Sequence, residues 1–339
     1  MVSPDSQAPQ TISIVIPVYN GEAIIGETLA SVAAQDYPAV QTIVVDDAST
    51  DGTVGVCETF DVELVRLADN AGPANARNVG VVRVTGDIVL FIDTGVILVD
   101  PSTVRRLVAK FEDHPEIAGV TMVRARNALN AGITPAYWAT INYYEWMRAP
   151  TYHTSFATER SAIRTSILRE MELFDSRFRG ADIEDHEFGF RLHAAGHKVL
   201  VAHDIEVADR FDTLCQATKK MLVRSFHWFR LFVRRRKFDS VWNTQDRAAK
   251  TLVAGTCLPL AALAAIVWQP LLFAGAVALC LAFLFYTYRF YLWLGLKAGK
   301  PHLIFPFVFL DLYISSIILM GATWSLLDLL IHRPSPRTR

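Results

Sequence analysis

Short β-branched apolar runs alternate with helically spaced apolar residues through the first part of the chain. Ile12 to Val18 is such a run, and a turn-forming Tyr-Asn-Gly sequence follows it directly. Ile25, Leu29 and Val32 then repeat at the spacing of one helix face. This pattern predicts a buried strand, a loop and a helix in succession.

The same unit recurs three more times in the sequence. Further strands are predicted at Thr42 to Val45, Val62 to Leu67 and Asp87 to Ile92, with a helix around Ala74 to Val84. Alternating strands and helices predict an α/β fold, a mostly parallel sheet with helices on both faces. Ligands of such sheets bind beyond the carboxyl ends of the strands.

Polar side chains follow the predicted strands at these ends. They are Tyr19 and Asn20, then Asp46 and Asp47, then Asp93. The first loop, PVYNGEA, has a single glycine, and the chain has no GxxxxGK[ST] sequence. The usual dinucleotide and P-loop sites are therefore disfavoured, and any nucleotide must be held in another way.

The last ninety residues have a different character. Three apolar stretches run from Thr251 to Trp268, from Pro270 to about Tyr288 and from Leu303 to Ile331. Each approaches or exceeds the roughly 18 residues that cross a bilayer as a helix, so two to three membrane spans are predicted. A buried helical hairpin of a soluble protein is the alternative.

Basic residues flank the first two stretches. By the positive-inside rule they place both flanks, and the N-terminal domain, on the cytoplasmic side of the membrane. A full crossing by the third stretch would carry the basic tail Arg333, Arg337 and Arg339 to the far side. A re-entrant or strongly tilted third element therefore stays open.

Composition removes several classes of function. The 339 residues carry a net charge of -1, which gives no bulk argument for nucleic-acid binding. The four cysteines form no CxxC pair, so neither a disulfide framework nor a cysteine zinc site is indicated. The opening residues lack the basic and apolar regions of a signal peptide, so we expect no export by that route.

Lys219 to Phe238 predicts a basic amphipathic helix beside the apolar tail. Aromatic and aliphatic residues fall on one face and cations on the other, as in helices of the headgroup layer. A solvated charge run or a nucleic-acid patch is the alternative. The residues expected at the membrane or acceptor interface are Lys220, Arg224, Trp228, Arg230 and Arg234.

Five motifs in order, SIVIPVYNGEA, VVDDASTDGT, NAGPANARNVGV, VLFIDTG and IEDHEFGFRLHAAGHKV, resemble those of the family 2 glycosyltransferases with the GT-A fold. The resemblance spans some 190 residues. It implies that the first three motifs bind a nucleotide-sugar donor. The base and ribose would contact Pro17, Tyr19, Asn20 and Asp47 with Asp46 behind them, and the phosphates or sugar would contact Arg77 and Asn78.

The resemblance also implies a divalent ion, Mg²⁺ or Mn²⁺, at a DxD element. Here that element is Asp93-Thr94-Gly95, so glycine stands in place of the second carboxylate. Mg²⁺ binds through phosphates, waters and only one or two carboxylates, so Asp93 alone is a possible metal residue. Metal dependence stays open.

The last motif implies the catalytic pair. Asp185 would be the general base on the acceptor, or would orient an acceptor phosphate that is already deprotonated, and Glu184 would support it. Without the resemblance, acidic residues in a first helical turn are ordinary partners of the helix dipole. The QxxRW sequence of processive family members is absent, which favours transfer of a single sugar.

Together these features predict an inverting glycosyltransferase that moves one sugar from a UDP- or GDP-sugar to a lipid or lipid-linked acceptor at the cytoplasmic membrane face. Glycolipid or surface-polysaccharide synthesis is the expected context. A catalytically silent membrane scaffold and, less favoured, a nucleotidyltransferase are the alternatives. The expected regions are a flexible 1–10, a GT-A domain 11–212, an interface helix region 213–248, a transmembrane region 249–331 and a basic tail 332–339.

Overall fold

The computed structural model describes residues 10–38, 40–178, 183–235, 274–275, 296 and 301–331. The first two predicted membrane stretches lie outside the described residues, except for Ala274 and Gly275. The chain divides into two compact units. Unit 1 comprises Met1–Asn130 and Ala139–Arg210, and unit 2 comprises Ala131–Trp138 and Phe211–Arg339.

The described residues of unit 1 form a nine-stranded sheet. Its order is β3-β2-β1-β4-β8-β6-β9-β5, and β7 pairs with β9. The strands are β1 Ile12–Val18, β2 Val40–Asp46, β3 Glu63–Arg66, β4 Ile88–Ile92, β5 Ile97–Leu98, β6 Ile117–Arg124, β7 Tyr152–His153, β8 Arg160–Arg164 and β9 Lys198–Ala208.

Helices alternate with these strands and continue into unit 2. They are α1 Ile25–Ala33, α2 Thr53–Cys57, α3 Pro73–Val82, α4 Thr103–Asp113, α5 Ile133–Trp146, α6 Thr165–Glu170, α7 Glu184–Ala194, α8 Leu214–Arg235 and α9 Ile304–Ile331. Pro73 occupies the first turn of α3, where its missing N–H costs no helical hydrogen bond.

The sheet is mixed, so the expectation of a mostly parallel sheet is corrected. The strands β3, β2, β1 and β4 are mutually parallel, as the repeated strand and helix pattern predicts. Strand β8 runs antiparallel to both of its neighbours, β4 and β6. It enters the sheet between two strands that precede it in the chain, which the local periodicity of the sequence does not reveal.

Helices cover both faces of the sheet, as predicted. Every residue of β1 is buried, and its side chains alternate between two hydrophobic clusters. Ile14 and Ile16 belong to one cluster and Val15 to the other. Burial on both faces explains why the strand is apolar throughout rather than alternating.

Unit 2 contains α8 and α9, which pack against each other. Among the described residues, one helical segment, Pro301–Ile331, is long and apolar enough to cross a membrane, with a mean hydropathy of 2.2. Length and composition alone support that statement, and the core helix of a soluble protein meets the same criteria.

Candidate active site

The carboxyl ends of β1, β2 and β4 meet at one edge of the sheet because the three strands are parallel. The loops after β1 and β2 are tied together there. The Asn20 backbone N–H donates to Ser49 Oγ at 2.8 Å, and the Thr50 N–H donates to Asn20 Oδ1 at 2.8 Å. Tyr19 is 52% exposed beside them, so its ring is open to a ligand.

Asp46, the last residue of β2, and Asp47, which follows it, are almost completely buried. Asp46 Oδ1 accepts the Ser49 N–H at 3.1 Å. Asp47 accepts N–H groups from Ala71 at 2.9 Å and from Gly72 at 2.8 Å. Asp47 therefore holds the loop before α3 in place, and a nucleotide would have to use lone pairs that these two bonds leave.

The segment after β4 is fixed by backbone-directed bonds. Thr94 Oγ1 donates to the Pro17 carbonyl at 3.0 Å, which joins the DxD-like segment to the end of β1. The Gly95 N–H donates to Thr28 Oγ1 at 2.9 Å, and Gly95 has a φ of 103°. L side chains rarely adopt that φ, so the backbone here favours glycine over a second aspartate.

Arg77 links the two acidic motifs that sequence reasoning treats separately. Its guanidinium donates to Asp93 Oδ1 at 2.6 Å and to Glu184 Oε1 at 2.9 Å. Arg77 is 2% exposed, whereas the Asp93 side chain is 42% exposed. The arginine faces carboxylates in this structure, and Asp93 is the carboxylate open to a ligand.

The charges of this triad are strongly coupled. Burial disfavours the Arg77 charge, but Asp93 and Glu184 outweigh it and raise the pKa of Arg77 above its ordinary value. Burial, followed by the Asp185 carboxylate, raises the pKa of Glu184, and Arg77 opposes that rise. Arg77 therefore stays protonated, and its charge partly offsets the rise in the pKa of Glu184.

Asp185 lies in the first turn of α7, next to Glu184. Acidic residues there are stabilised by the positive end of the helix dipole. Asp185 Oδ1 accepts the N–H of His186 at 2.7 Å, and 18% of its side chain is exposed. A largely enclosed carboxylate that keeps some exposure is able to bind or deprotonate an acceptor hydroxyl. Asp182, at the start of the motif, lies outside the described residues.

Asn78 is placed away from this cluster. Its side-chain amide donates to the Phe174 carbonyl at 2.8 Å and accepts the Phe174 N–H at 3.0 Å. These two bonds brace the segment after α6 against α3. The expected contact of Asn78 with the donor stays a prediction.

A second ionic cluster at the same sheet edge was missed by sequence reasoning. Arg124 Nε donates to Asp209 Oδ2 at 2.8 Å, and a second Arg124 nitrogen lies 3.3 Å from Glu159 Oε1. Arg160 pairs with Glu159 and donates to the Met122 carbonyl at 2.7 Å. The adjacent charges Glu159-Arg160 at a strand start were the available signal.

This second cluster adjoins Asp93 through the backbone. The Asp93 N–H donates to the Glu159 carbonyl at 3.3 Å. Burial opposes ionisation of Glu159, but Arg160 and Arg124 prevail and lower its pKa to about 2. The cluster is thus a set of compensated charges that fixes the strand beside Asp93.

Asp93 is the residue that fits a divalent ion. Arg77 engages only Oδ1 of its carboxylate. Among residues that the structure describes, no group of three or more His, Cys, Asp or Glu side chains is arranged to hold a metal. The protein therefore provides one carboxylate, which suits an ion whose other ligands are donor phosphates and water.

The expected interface residues lie in unit 2. Lys220 pairs with Asp212 at 3.1 Å, and Arg230 pairs with Asp328. Arg224 and Trp228 are half-buried, and the Arg234 side chain lies outside the described part. The helix predicted from Lys219 to Phe238 is confirmed as far as Arg235, and it begins earlier, at Leu214. Residues 236–238 lie outside the described part of the chain.

The family model for glycosyl transferase family 2 matches residues 13–171. The chain carries a family 2 glycosyltransferase domain. Poly(ribitol-phosphate) beta-N-acetylglucosaminyltransferase TarS of Staphylococcus aureus is 26% identical over 201 residues, which are 57% of this chain and 34% of TarS. The chain thus matches about a third of the length of that curated relative.

Solved structures share the fold of this chain. The mannosyltransferase PcManGT from Pyrobaculum calidifontis, in complex with GDP-Man and Mn²⁺, has a TM-score of 0.71 at 19% identity over 96% of this chain and 90% of PcManGT. TarS 1-349 in complex with UDP-GlcNAc has a TM-score of 0.53 at 20% identity over 70% of each chain. At these identities the likeness establishes the GT-A fold.

Proposed function

We propose that this chain is an inverting glycosyltransferase that moves a single sugar from a UDP- or GDP-sugar to a lipid or lipid-linked acceptor at the cytoplasmic face of a membrane. The observation that carries the proposal is the Arg77 bridge between Asp93 and Glu184. It connects the motif expected at the donor diphosphate with the motif expected at the acceptor.

The proposed chemistry assigns a role to each side of this bridge. The acceptor oxygen attacks the anomeric carbon while the bond from that carbon to the diphosphate oxygen breaks. Asp185 receives the proton of an acceptor hydroxyl, or orients an acceptor phosphate that carries none. Arg77 holds Asp93 and Glu184 in fixed positions, and the pocket therefore needs little reorganisation during the reaction.

Asp93 would hold a Mg²⁺ or Mn²⁺ ion that arrives with the donor. Such an ion would neutralise charge on the leaving diphosphate. The Mn²⁺ and GDP-Man bound by PcManGT support the choice of metal and donor class. The UDP-GlcNAc bound by TarS supports UDP-sugars as candidate donors as well.

The lipid acceptor is proposed from the second unit of the chain. The apolar α9 and the basic α8 lie in that unit, and the undescribed stretches between them are apolar in sequence. An acceptor held in a membrane would meet the catalytic domain at the lipid surface. Integral membrane attachment is proposed on the same grounds.

Release of nucleoside diphosphate tests the proposal. Purified full-length protein is incubated with UDP- and GDP-sugars, with and without Mg²⁺ or Mn²⁺, and with and without a membrane lipid extract. Lipid-dependent release from one donor, lost in Asp185→Asn, is expected. The matched control is Asp175→Asn, which changes an aspartate whose partner is the exposed Arg177.

The scaffold alternative gives the opposite result in that assay. Folded protein that binds a nucleotide sugar and releases nothing with any acceptor would favour it over an enzyme. A nucleotidyltransferase would instead release pyrophosphate from a nucleoside triphosphate.

A further inference from the structure

The polarity of α9 is reversed relative to a helix on the surface of a soluble protein. Its exposed face is formed by large apolar side chains. Its buried face combines the apolar Phe307, Ile314 and Ile317 with Asp311, Ser315, Gly321 and Ser325. The exposed residues are Phe305, Phe309, Met320, Trp324, Leu327, Leu330 and Ile331. A continuous exposed apolar face of this kind marks a contact with lipid or with another protein surface.

Both ionisable residues of α9, Asp311 and Asp328, are paired within unit 2. The Tyr137 hydroxyl donates to Asp311 Oδ1 at 2.5 Å, and Arg230 pairs with Asp328. The helix therefore carries its ionisable residues on the side away from the apolar face, as in helices that contact lipid.

Helix α8 packs lengthwise along α9 in the same direction. Thr218 contacts the Tyr313 hydroxyl at 2.9 Å, the Phe226 and Trp324 rings lie 4.7 Å apart, and Arg230 pairs with Asp328. The contacts advance together along both helices. From Thr218 to Arg230 they extend over about 18 Å at the helical rise of 1.5 Å per residue.

The closest approach of the two helices is at Gly321. A Cβ atom at that position would lie 2.5 Å from the Leu222 carbonyl oxygen and 2.8 Å from Ser225 Cβ. The pairing is therefore a tight backbone contact and not a loose association of side chains.

The charge of α8 restricts the orientation of the pair. Its 22 residues contain six lysines and arginines, too many for a helix that crosses the hydrocarbon core. Because α9 runs alongside α8 over about three turns, both helices must have similar inclinations to the membrane. If α9 crossed the membrane, the cations of α8 would therefore lie in the hydrocarbon core.

We propose that α9 does not cross the membrane but lies in its surface layer. The apolar face contacts lipid acyl chains, and α8 lies on the opposite side of α9, where its cations meet anionic headgroups. This inference rests on the proposed membrane attachment. It replaces the expected direct insertion of the α8 apolar face into lipid, since Leu222 and Phe226 pack on α9.

The arrangement also resolves the charge conflict of the basic tail. A helix in the surface layer leaves Lys297 and Lys300 before α9, and Arg333, Arg337 and Arg339 after it, on one side of the membrane. That distribution satisfies the positive-inside rule, which a third crossing would violate.

Cysteine accessibility on the two sides of the membrane tests the inference. In full-length protein with Cys57, Cys215, Cys257 and Cys280 replaced by serine, single cysteines are introduced as His302→Cys and Ser335→Cys, before and after α9. A membrane-impermeant maleimide is applied to intact bacterial cells and to inverted membrane vesicles. Glu58→Cys, exposed after α2, reports the side of the catalytic unit.

The expected result is labelling of both positions in inverted vesicles and of neither in intact cells. Labelling of the two positions from opposite sides would overturn the inference and leave the membrane attachment standing. Protein that stays in the aqueous phase after cell lysis without detergent would overturn both.

A depth measurement gives independent evidence. Fluorophores at Phe309→Cys, Met320→Cys and Leu330→Cys in phosphatidylcholine and phosphatidylglycerol vesicles are quenched by lipids brominated at known positions. A helix in the surface layer gives the same shallow depth at all three sites. A deep maximum at Met320 with shallow flanking sites would contradict the inference.

Discussion

Unit 1 and helix α9 of unit 2 differ in which side chains they enclose and which they expose. In unit 1 the apolar strands are enclosed, and ionisable groups collect at the carboxyl edge of the sheet, with Arg77 buried between Asp93 and Glu184. In α9 of unit 2 a continuous face of large apolar side chains is exposed, whereas Asp311, Ser315 and Ser325 are enclosed. The proposed membrane attachment of unit 2 accounts for this difference, because lipid would then replace water around the exposed apolar face of α9.

The largest effect is expected from removing the buried cation of unit 1. Arg77→Met leaves the Asp93 and Glu184 carboxylates without compensation, and breaking a buried ion pair in this way costs about 3–5 kcal/mol of unfolding free energy. Denaturant unfolding of the full chain in detergent measures it. Arg83→Met, which removes a half-exposed pair with Glu63, should cost no more than about 1 kcal/mol. Equal losses would contradict the role given to Arg77.

A charge on the exposed face of α9 gives the next effect. Met320→Lys places an ammonium in lipid, which costs up to about 3 kcal/mol at the centre of a membrane helix and less near the surface. We expect a lower melting temperature in lipid vesicles. Val82→Lys, 76% exposed on α3 of unit 1, should change stability by less than about 0.5 kcal/mol. If both variants lost the same stability, the exposed face of α9 would not differ from an ordinary water-exposed surface, and the comparison of the two units would fail.

The third prediction concerns His153, a buried and neutral histidine that tests how well unit 1 is shielded from water. Burial, with help from His186 and Arg160, lowers the pKa of His153 to about 4, although its Nδ1 accepts the Ser155 N–H. The unfolded chain takes up this proton near pH 6.5 and the folded chain does not, so stability should fall between pH 6.5 and 4. The loss is about 3 kcal/mol in all. His153→Asn keeps an acceptor, and its stability should depend less on pH over that interval.

The smallest effect compares two helical glycines. Gly321→Ala forces α8 and α9 apart and should destabilise unit 2 by about 1–3 kcal/mol. Gly55→Ala, which meets nothing within 4 Å on α2, should be stabilising by about 0.4–1 kcal/mol. Thermal unfolding of both variants measures the difference, and a tolerated alanine at Gly321 would argue against the tight helix pair.

The sequence predicts the first half of unit 1 well because its signals are local. The bounds of β1 agree with the prediction, and β2, β3, β4 and α3 differ by only a few residues. Asp46, Asp47 and Asp93 lie at strand ends for the same reason. Periodicity records which residues are buried, and in this region buried elements follow each other along the chain.

The remaining features depend on contacts distant in sequence. Strand β8 pairs with β4 across some 70 residues, and Arg77 meets Glu184 across 107. No local pattern specifies either contact. The sequence also does not reveal how α9 is oriented, because a 28-residue apolar helix has the same composition whether it crosses a bilayer or lies along it.

The central claim is transfer of a sugar to lipid by the site around Asp185. Membranes containing the full chain are incubated with a radiolabelled donor selected from the nucleotide-sugar panel, and the organic phase is then counted. We predict label in a lipid product from the wild-type protein and none from Asp185→Asn at equal expression. Label that stays in the aqueous phase for both proteins, with correctly folded wild type, would contradict the claim.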